Sequence, residues 1–278
     1  MDRTSFLLSG ASVVAALGFP KTSFSQLEAR YGGRLGVMAI HSGTGGRISH
    51  RSDERFPMCS TFKLLLVAAV LKRVDSGKEH LGRQIPYKKT DLLEYAPVTR
   101  EHVQAGFMRV DALCAAAVEY SDNTAANLLL DAIGGPHQLT SYARSLGDPA
   151  TRLDRNEPGL NSAVPGDVRD TTTPAAMAAN LQKLLSGGTL SFASTRSLKT
   201  WLTASKTGGE RIRAGVPSGW AVGDKTGTGS NGSTNDVAVL YPVTGSPIFV
   251  AAYYTGSASP ADMRNHVLAE VGRIVASL

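Results

Sequence analysis

Residues 60–77, "STFKLLLVAAVLKRVDSG", constrain the chain more than any other stretch. Leucine, valine and alanine fall on every side of the helix that this segment would form, so it has no polar face. A helix of that kind is stable only with other elements packed around it, and it must run through the middle of a folded body. Lys72 and Arg73 suit the negative end of its dipole, and Gly77 suits the position just past its end. One polar pair interrupts the pattern at the start. Ser60 and Lys63 stand three apart, on one face of the first turn. In a helix apolar all round, Lys63 is not placed as a solvated surface residue.

The flanking segments say what covers this helix. In "RLGVMAIH", residues 34–41, Leu35, Val37 and Ala39 alternate as in a strand, and Gly43–Gly46 followed by "RISHRS" folds it into a hairpin. From about 110 to 205 the signals are mostly helical: "VDALCAAAVEY", "TAANLLLDAIGG", "TPAAMAANLQKLLSGG" with its Thr-Pro start, and "SFASTRSLKTWLTA". After 215 the strand pattern returns in "WAVGDKTGT", "DVAVLYP" and "IFVAAYYT", closed by the helix "ADMRNHVLAEVGRIVASL". The expected fold is therefore mixed α/β. An antiparallel sheet flanked by helices is built from both chain ends (26–59 and 207–278), and an all-α domain (60–206) is inserted. Within the inserted part, "TRLDRNEPGLNSAVPGDVRD", 151–170, keeps no period, and irregular segments of that length in a folded domain are usually functional loops.

The first 25 residues stand apart. Arg3 precedes the apolar "FLLSGASVVAALGF", and Ser23-Phe24-Ser25 has a small-x-small pattern, which reads as a secretory signal peptide. The expected location is outside the cytoplasm, periplasmic or secreted, with no membrane attachment once the leader is removed. Hydrophobic residues make up 42% of the chain and charged ones 19%, an ordinary globular balance. The charges are scattered, without basic runs interleaved with aromatics, so nucleic acid is not an expected partner. No heptad or broad apolar surface pattern is present, and a monomer is expected. Cys59 and Cys114 both sit among apolar residues and read as buried free thiols. Six widely spaced histidines, with no His-x-x-x-His and no Cys/His cluster, give no basis for a metal or other cofactor.

Four further motifs could carry chemistry. Ser121-Asp122-Asn123 separates two helices, where it could cap the second or present a serine and an amide to a ligand. Glu157 and Asn161, in the long loop, could together hold one water. Lys-Thr-Gly occurs twice. Lys206-Thr207-Gly208 follows a helix and reads as turn chemistry, whereas Lys225-Thr226-Gly227 continues a strand, whose edge offers alternating side chains and backbone groups to a ligand. Gly227-x-Gly229-x-x-Gly232 matches a dinucleotide fingerprint, but a strand follows it, not a helix, which excludes that reading.

Ser60-x-x-Lys63, Ser121-Asp122-Asn123, Glu157-x-x-x-Asn161 and Lys225-Thr226-Gly227, in that order, resemble the signature of class A serine β-lactamases. The resemblance covers residues 26–278 and implies hydrolysis of penicillins and cephalosporins through an acyl-enzyme on Ser60, giving antibiotic resistance. It implies catalytic roles for Ser60, Lys63, Ser121, Glu157 and Lys225. Asn123, Asn161, Tyr95, Arg211, Thr226, Gly227 and Thr228 would contact substrate, and an Arg155–Asp170 pair would pin the Ω-loop, 152–170. Whether Lys63 or Glu157 takes the serine proton stays open. There are departures. Many members carry an arginine about ten residues after the Lys-Thr-Gly lysine; this chain has "NGSTND" there, and Arg211 resembles the substitute found in others. Val67 stands where some members carry a cysteine bridged to the position of Cys114, and Gly229 where other members carry one bridged to the position of Cys59, so neither bridge is expected. A D-Ala-D-Ala peptidase or a β-lactam sensor would share three of the motifs. The first would lack a carboxylate like Glu157, and the second would acylate without turnover.

Overall fold

The computed structural model describes residues 23–278. Along the chain run helix α1 (Phe24–Tyr31), strands β1 (Arg34–His41), β2 (Arg47–His50) and β3 (Phe56–Pro57), helix α2 (Phe62–Asp75), β4 (Gln84–Pro86), α3 (Thr99–His102), β5 (Phe107–Arg109), α4 (Val110–Glu119), α5 (Asn123–Ile133), α6 (Pro136–Ser145), β6 (Thr171–Thr172), α7 (Pro174–Ser186), α8 (Phe192–Thr203), α9 (Ile212–Gly215), β7 (Ala221–Thr228), β8 (Thr234–Tyr241), β9 (Ile248–Thr255) and α10 (Ala261–Val275).

Five strands pair antiparallel in the order β2-β1-β9-β8-β7, so the two ends of the chain meet at β1 and β9, with Leu35 opposite Tyr254. This is the mixed α/β architecture that the sequence leads one to expect. Strand alternation divides the core in two. Leu35, Val37 and Ala39 join Val250, Ala252 and Tyr254 and meet Val267, Leu268 and Val271 of α10. Met38 and Ile40 join Phe249, Ala251 and Tyr253 on the other face, in the larger core centred on α2. β1 reads in sequence as one apolar face, yet its interior residues are buried on both, because helices cover the sheet front and back.

In α2, every residue from Phe62 to Leu71 is buried, Lys63 included. Gly77 lies just beyond its end with φ +71°, as the C-terminal glycine suggests. Burying each leucine side chain of this helix contributes about 1.5–3 kcal/mol, and that packing fixes the position of the helix that carries Lys63 and follows directly on Ser60. Both cysteines are buried and free; burial pushes the Cys59 thiol up to about 12.

The leader reading falls mostly outside the described residues, but Ser23–Ser25 do not. Ser23 caps α1 in a reciprocal pair with Gln26, and Phe24 is buried in the core beneath the sheet. Among the described residues no helix is long and apolar enough to cross a membrane.

Candidate active site

Ser60 lies in a tight turn, Cys59–Thr61, that feeds directly into α2. The residue before it, Cys59, has φ +46°, a left-handed backbone that costs a non-glycine residue about 1–3 kcal/mol unless its surroundings impose it. Those surroundings are specific. The Thr61 hydroxyl donates to Met58 O (2.8 Å), and the Asn235 amide on β8 donates to Pro57 O (2.9 Å) and Met58 O (3.1 Å). The turn thus aims Ser60 into a cavity of about 490 Å³ that also opens on Ser121, Asn123, Asn161, Thr226 and Thr228, with Tyr95, Thr207 and Arg211 at its margin. A slightly larger cavity, about 560 Å³, lies behind the Ω-loop between Arg34, Arg55 and Val164 and contains none of the expected site residues.

Glu157 joins the catalytic candidates. The Ser60 hydroxyl donates to Glu157 Oε1 at 3.2 Å, and Lys63 Nζ lies 3.0 Å from the same oxygen. Asn161 Nδ2 donates to the other carboxylate oxygen at 2.5 Å. Lys63 forms no hydrogen bond with Ser60, although the spacing suggests one; both converge on the carboxylate instead. The lysine also donates to Ser121 O (2.8 Å) and Asn123 Oδ1 (2.6 Å). Burial pulls the Lys63 ammonium below its ordinary range, and the charge and hydrogen bond of Glu157 oppose that shift.

Ser121 sits between α4 and α5 with φ +60°. The Ser121 hydroxyl accepts from Lys225 Nζ at 3.0 Å and lies 3.5 Å from Lys63 Nζ, so it bridges two ammonium groups. Asp122, fully buried, holds the turn: it caps α5 through Ala125 N and accepts from Val98 N, Thr99 N and the Thr99 hydroxyl. Asn123 N donates to Tyr95 O (3.0 Å), which fixes the backbone of Tyr95 while its ring stays half exposed at the rim.

The Ω-loop hangs on two clamps. Arg155 Nε meets Asp170 Oδ2 at 2.6 Å, and Asp170 Oδ1 accepts from Asp154 N and Arg155 N, closing the loop at its neck. The second clamp is absent from the sequence reading. Asn127 on α5 donates to Glu157 O (2.9 Å) and accepts from Glu157 N (3.0 Å), gripping the glutamate by its main chain. Its signal was present: Asn127 is one helical turn beyond Asn123 and shares its face.

Strand β7 supplies the opposite wall. Lys225 is fully buried, and burial followed by the nearby Lys63 charge pushes it well below its ordinary range, with Asp224 pulling the other way. At Gly227 a Cβ would lie 2.7 Å from Met58 O, so only glycine lets this strand press against the turn that carries Ser60. Arg211 is also buried, and its guanidinium donates to Gly227 O (3.0 Å), Asn235 O (2.7 Å), the Thr228 hydroxyl (2.7 Å) and Asn265 Oδ1 (3.0 Å). The first Lys-Thr-Gly needs a correction. It is a turn, but not only turn chemistry: the Thr207 hydroxyl lies 2.6 Å from that of Thr226 and lines the cavity. A turn residue's side-chain direction depends on tertiary placement, which local sequence does not reveal.

The profile of the β-lactamase enzyme family matches residues 20–277. Beta-lactamase OXY-1 of Klebsiella oxytoca is 46% identical over 269 residues, 97% of this chain and 92% of that protein. Beta-lactamase Toho-1 of Escherichia coli gives the same identity and coverage. A solved ancestral (GNCA) class A β-lactamase is 60% identical, with a TM-score of 0.89 over 91% of this chain and 97% of that one. The chain belongs to the β-lactamase enzyme family, in its class A.

Proposed function

We propose that the protein hydrolyses the β-lactam amide bond of penicillins and cephalosporins through an ester on Ser60, and so confers resistance to them. The observation that carries this reading is the shared Glu157 Oε1, 3.2 Å from Ser60 Oγ and 3.0 Å from Lys63 Nζ. The serine proton has an immediate acceptor in Glu157, which favours that carboxylate over Lys63 as the acylation base. Lys63 stabilises the carboxylate and passes a proton on towards Ser121.

Ser60 Oγ attacks the lactam carbonyl carbon as its proton moves to Glu157. The carbonyl oxygen takes up negative charge, for which the N–H groups of Ser60 and Thr228 are the proposed donors; one such donor is typically worth about 2.7–4 kcal/mol. The C–N bond then breaks, and the ring nitrogen receives a proton from Lys63 through the Ser121 hydroxyl, while Glu157 passes the serine proton to Lys63 and becomes a carboxylate again. Water, oriented by Glu157 and Asn161, loses a proton to Glu157 and attacks the ester, and Ser60 leaves with a proton restored. One water is consumed, and the enzyme returns to its starting state.

Asn123 is assigned to the substrate's side-chain amide and Tyr95 to the rim. Thr226, Thr228 and Arg211 are assigned to its carboxylate, whose negative charge also favours the charged form of Lys225. Residues 60–206 form the proposed helical domain, and 26–59 with 207–278 the sheet domain. We place the protein outside the cytoplasm as a monomer. Steady-state turnover of a chromogenic cephalosporin by the mature chain, beside Ser60→Ala, tests the reading. Sustained hydrolysis lost in the variant supports it; a stoichiometric burst without turnover in the parent leaves a sensor or penicillin-binding protein.

A further inference from the structure

Two carboxylates lie buried behind the carboxylate-binding end of the cleft. Asp236 on β8 pairs across from Thr226 on β7, and Asp224 is two residues before Thr226, so all three side chains share one face of the sheet. The segment 205–213, which carries Thr207 and Arg211, crosses that face. Asp224 grips it in two places: Oδ2 accepts from the Ser205 hydroxyl (3.0 Å), and Oδ1 accepts from Arg213 Nε (3.1 Å) and Nη2. Gly208 passes so close that any Cβ there would overlap the Asp224 carboxylate. Asp236 Oδ2 accepts from Ile212 N (3.2 Å), the residue directly after Arg211, while its Oδ1 is buried without a partner among the described residues.

The two acids are not equivalent. Asp224 has Arg213 as its own counter-charge; Asp236 has one backbone donor. The charged and titratable groups that act on Asp236 are Asp224 and Lys225 from β7, Arg211 from the crossing segment and Tyr253 from β9, while Arg213 is held by Asp224 and Arg264 of α10 acts on Arg211. Burial, then the Asp224 charge, pushes Asp236 well above the usual carboxylate range, against the pull of Arg211, Ile212 N–H and Lys225. It therefore holds its proton to higher pH than an ordinary carboxyl does. All four oxygens that hold the Arg211 guanidinium belong to uncharged groups, so with Asp236 neutral the arginine keeps its charge for the cleft.

We propose that Asp236 is a positioning residue for the substrate-carboxylate end of the cleft, acting through Ile212 N–H and the charge of Arg211. The proposal rests on the assignment of Arg211 to the substrate carboxylate. Ionisation of Asp236 would place a negative charge behind Arg211 and spend its field inward, weakening the hold on an anionic substrate without touching the reacting bond.

The test is kcat and KM for a cephalosporin with a free carboxylate, from about pH 6 to about pH 9.5, in the parent, Asp236→Asn, Asp236→Leu and Arg211→Gln. In the parent, KM is expected to rise about fivefold above pH 8 while kcat changes less. Asparagine keeps an acceptor for Ile212 N–H and cannot ionise, so its KM should match the parent's near pH 7 and lose the alkaline rise. Leucine removes the acceptor too, and KM should be about fivefold higher at every pH with kcat within about threefold. An unchanged alkaline rise in Asp236→Asn would overturn the proposal, as would a parental KM in Asp236→Leu. Should the leucine variant not fold, the near-isosteric asparagine variant decides alone. If instead Arg211→Gln leaves KM as in the parent, it is the assignment of Arg211 that fails.

Thermal melts give a second, independent readout. A carboxyl raised in the folded state contributes stability below its unfolded value of 3.8 and loses it as pH climbs towards its raised folded value. Asp236→Asn should therefore melt with the parent near pH 4 and progressively above it towards pH 8. A constant offset at all pH values would contradict a neutral Asp236.

Discussion

The two Lys-Thr-Gly segments have the same side chains and almost nothing else in common. Lys225 is fully buried in strand β7 and donates to Ser121 Oγ; Lys206 is exposed in the turn after α8, where its main-chain N–H donates to Glu119 O (2.8 Å). Gly227 lets β7 approach the nucleophile's turn, whereas Gly208 lets the chain pass over Asp224. Only the threonines meet, hydroxyl to hydroxyl. The comparison teaches that a tripeptide acquires a role from the backbone that displays it. A strand sends lysine and threonine to opposite faces, one towards Ser121 and the other towards the open end of the cleft. The turn sends its lysine to solvent.

That contrast can be broken in order of consequence. Lys225→Ala removes a buried lysine from Ser121 and, in the proposed binding mode, from the substrate's carboxylate, and kcat/KM should fall about 10³-fold. Thr226→Val keeps the shape of the side chain and deletes a hydroxyl that would bond a charged group; a loss of about 10- to 100-fold, mostly in KM, is expected. Thr207→Val leaves Thr226 without its partner, and the expected loss is about fivefold. Gly208→Ala should leave the chemistry intact but lower the thermal stability by about 1–3 kcal/mol, because a methyl overlaps Asp224. Lys206→Ala should change neither rate nor stability beyond about 0.5 kcal/mol. A Lys206 effect as large as that of Lys225 would erase the distinction, and a neutral Thr207→Val would restore the first copy to plain turn chemistry.

Much of the site was legible because local pattern and chemistry pointed the same way. Ser60 and Lys63 stand out since an apolar helix gives a lysine no solvated exit, and Lys225 stands out since "WAVGD" reads as a strand. Glu157 and Asn161 were found in a loop too long to be mere connection. What escaped depends on distant packing. Asn235 secures the Ser60 turn from 175 residues away in sequence, Asp236 acts from behind the sheet, and Thr207 is turned towards the cleft by how α8 packs on β7. Asn127 is the exception: its place one turn after Asn123 could have been read. In the fold, α1 was hidden by the leader pattern, since Ser23-Phe24-Ser25 serves equally as a small-x-small tripeptide and as a helix cap. The burial of both faces of β1 was hidden too, because alternation records side-chain type and not what covers the second face.

The account stands on Glu157 serving Ser60, and the most direct measurement is the intact mass of Glu157→Ala after mixing with a cephalosporin, followed by peptide mapping. Loss of the general base should slow deacylation about 10²- to 10⁴-fold. Because Glu157 serves acylation as well as deacylation, the account predicts an acyl adduct on the peptide containing Ser60 that forms slowly in the variant and then persists, and rapid turnover without accumulated adduct in the parent. Parental turnover by the variant, or an adduct that maps to any other residue, would contradict it.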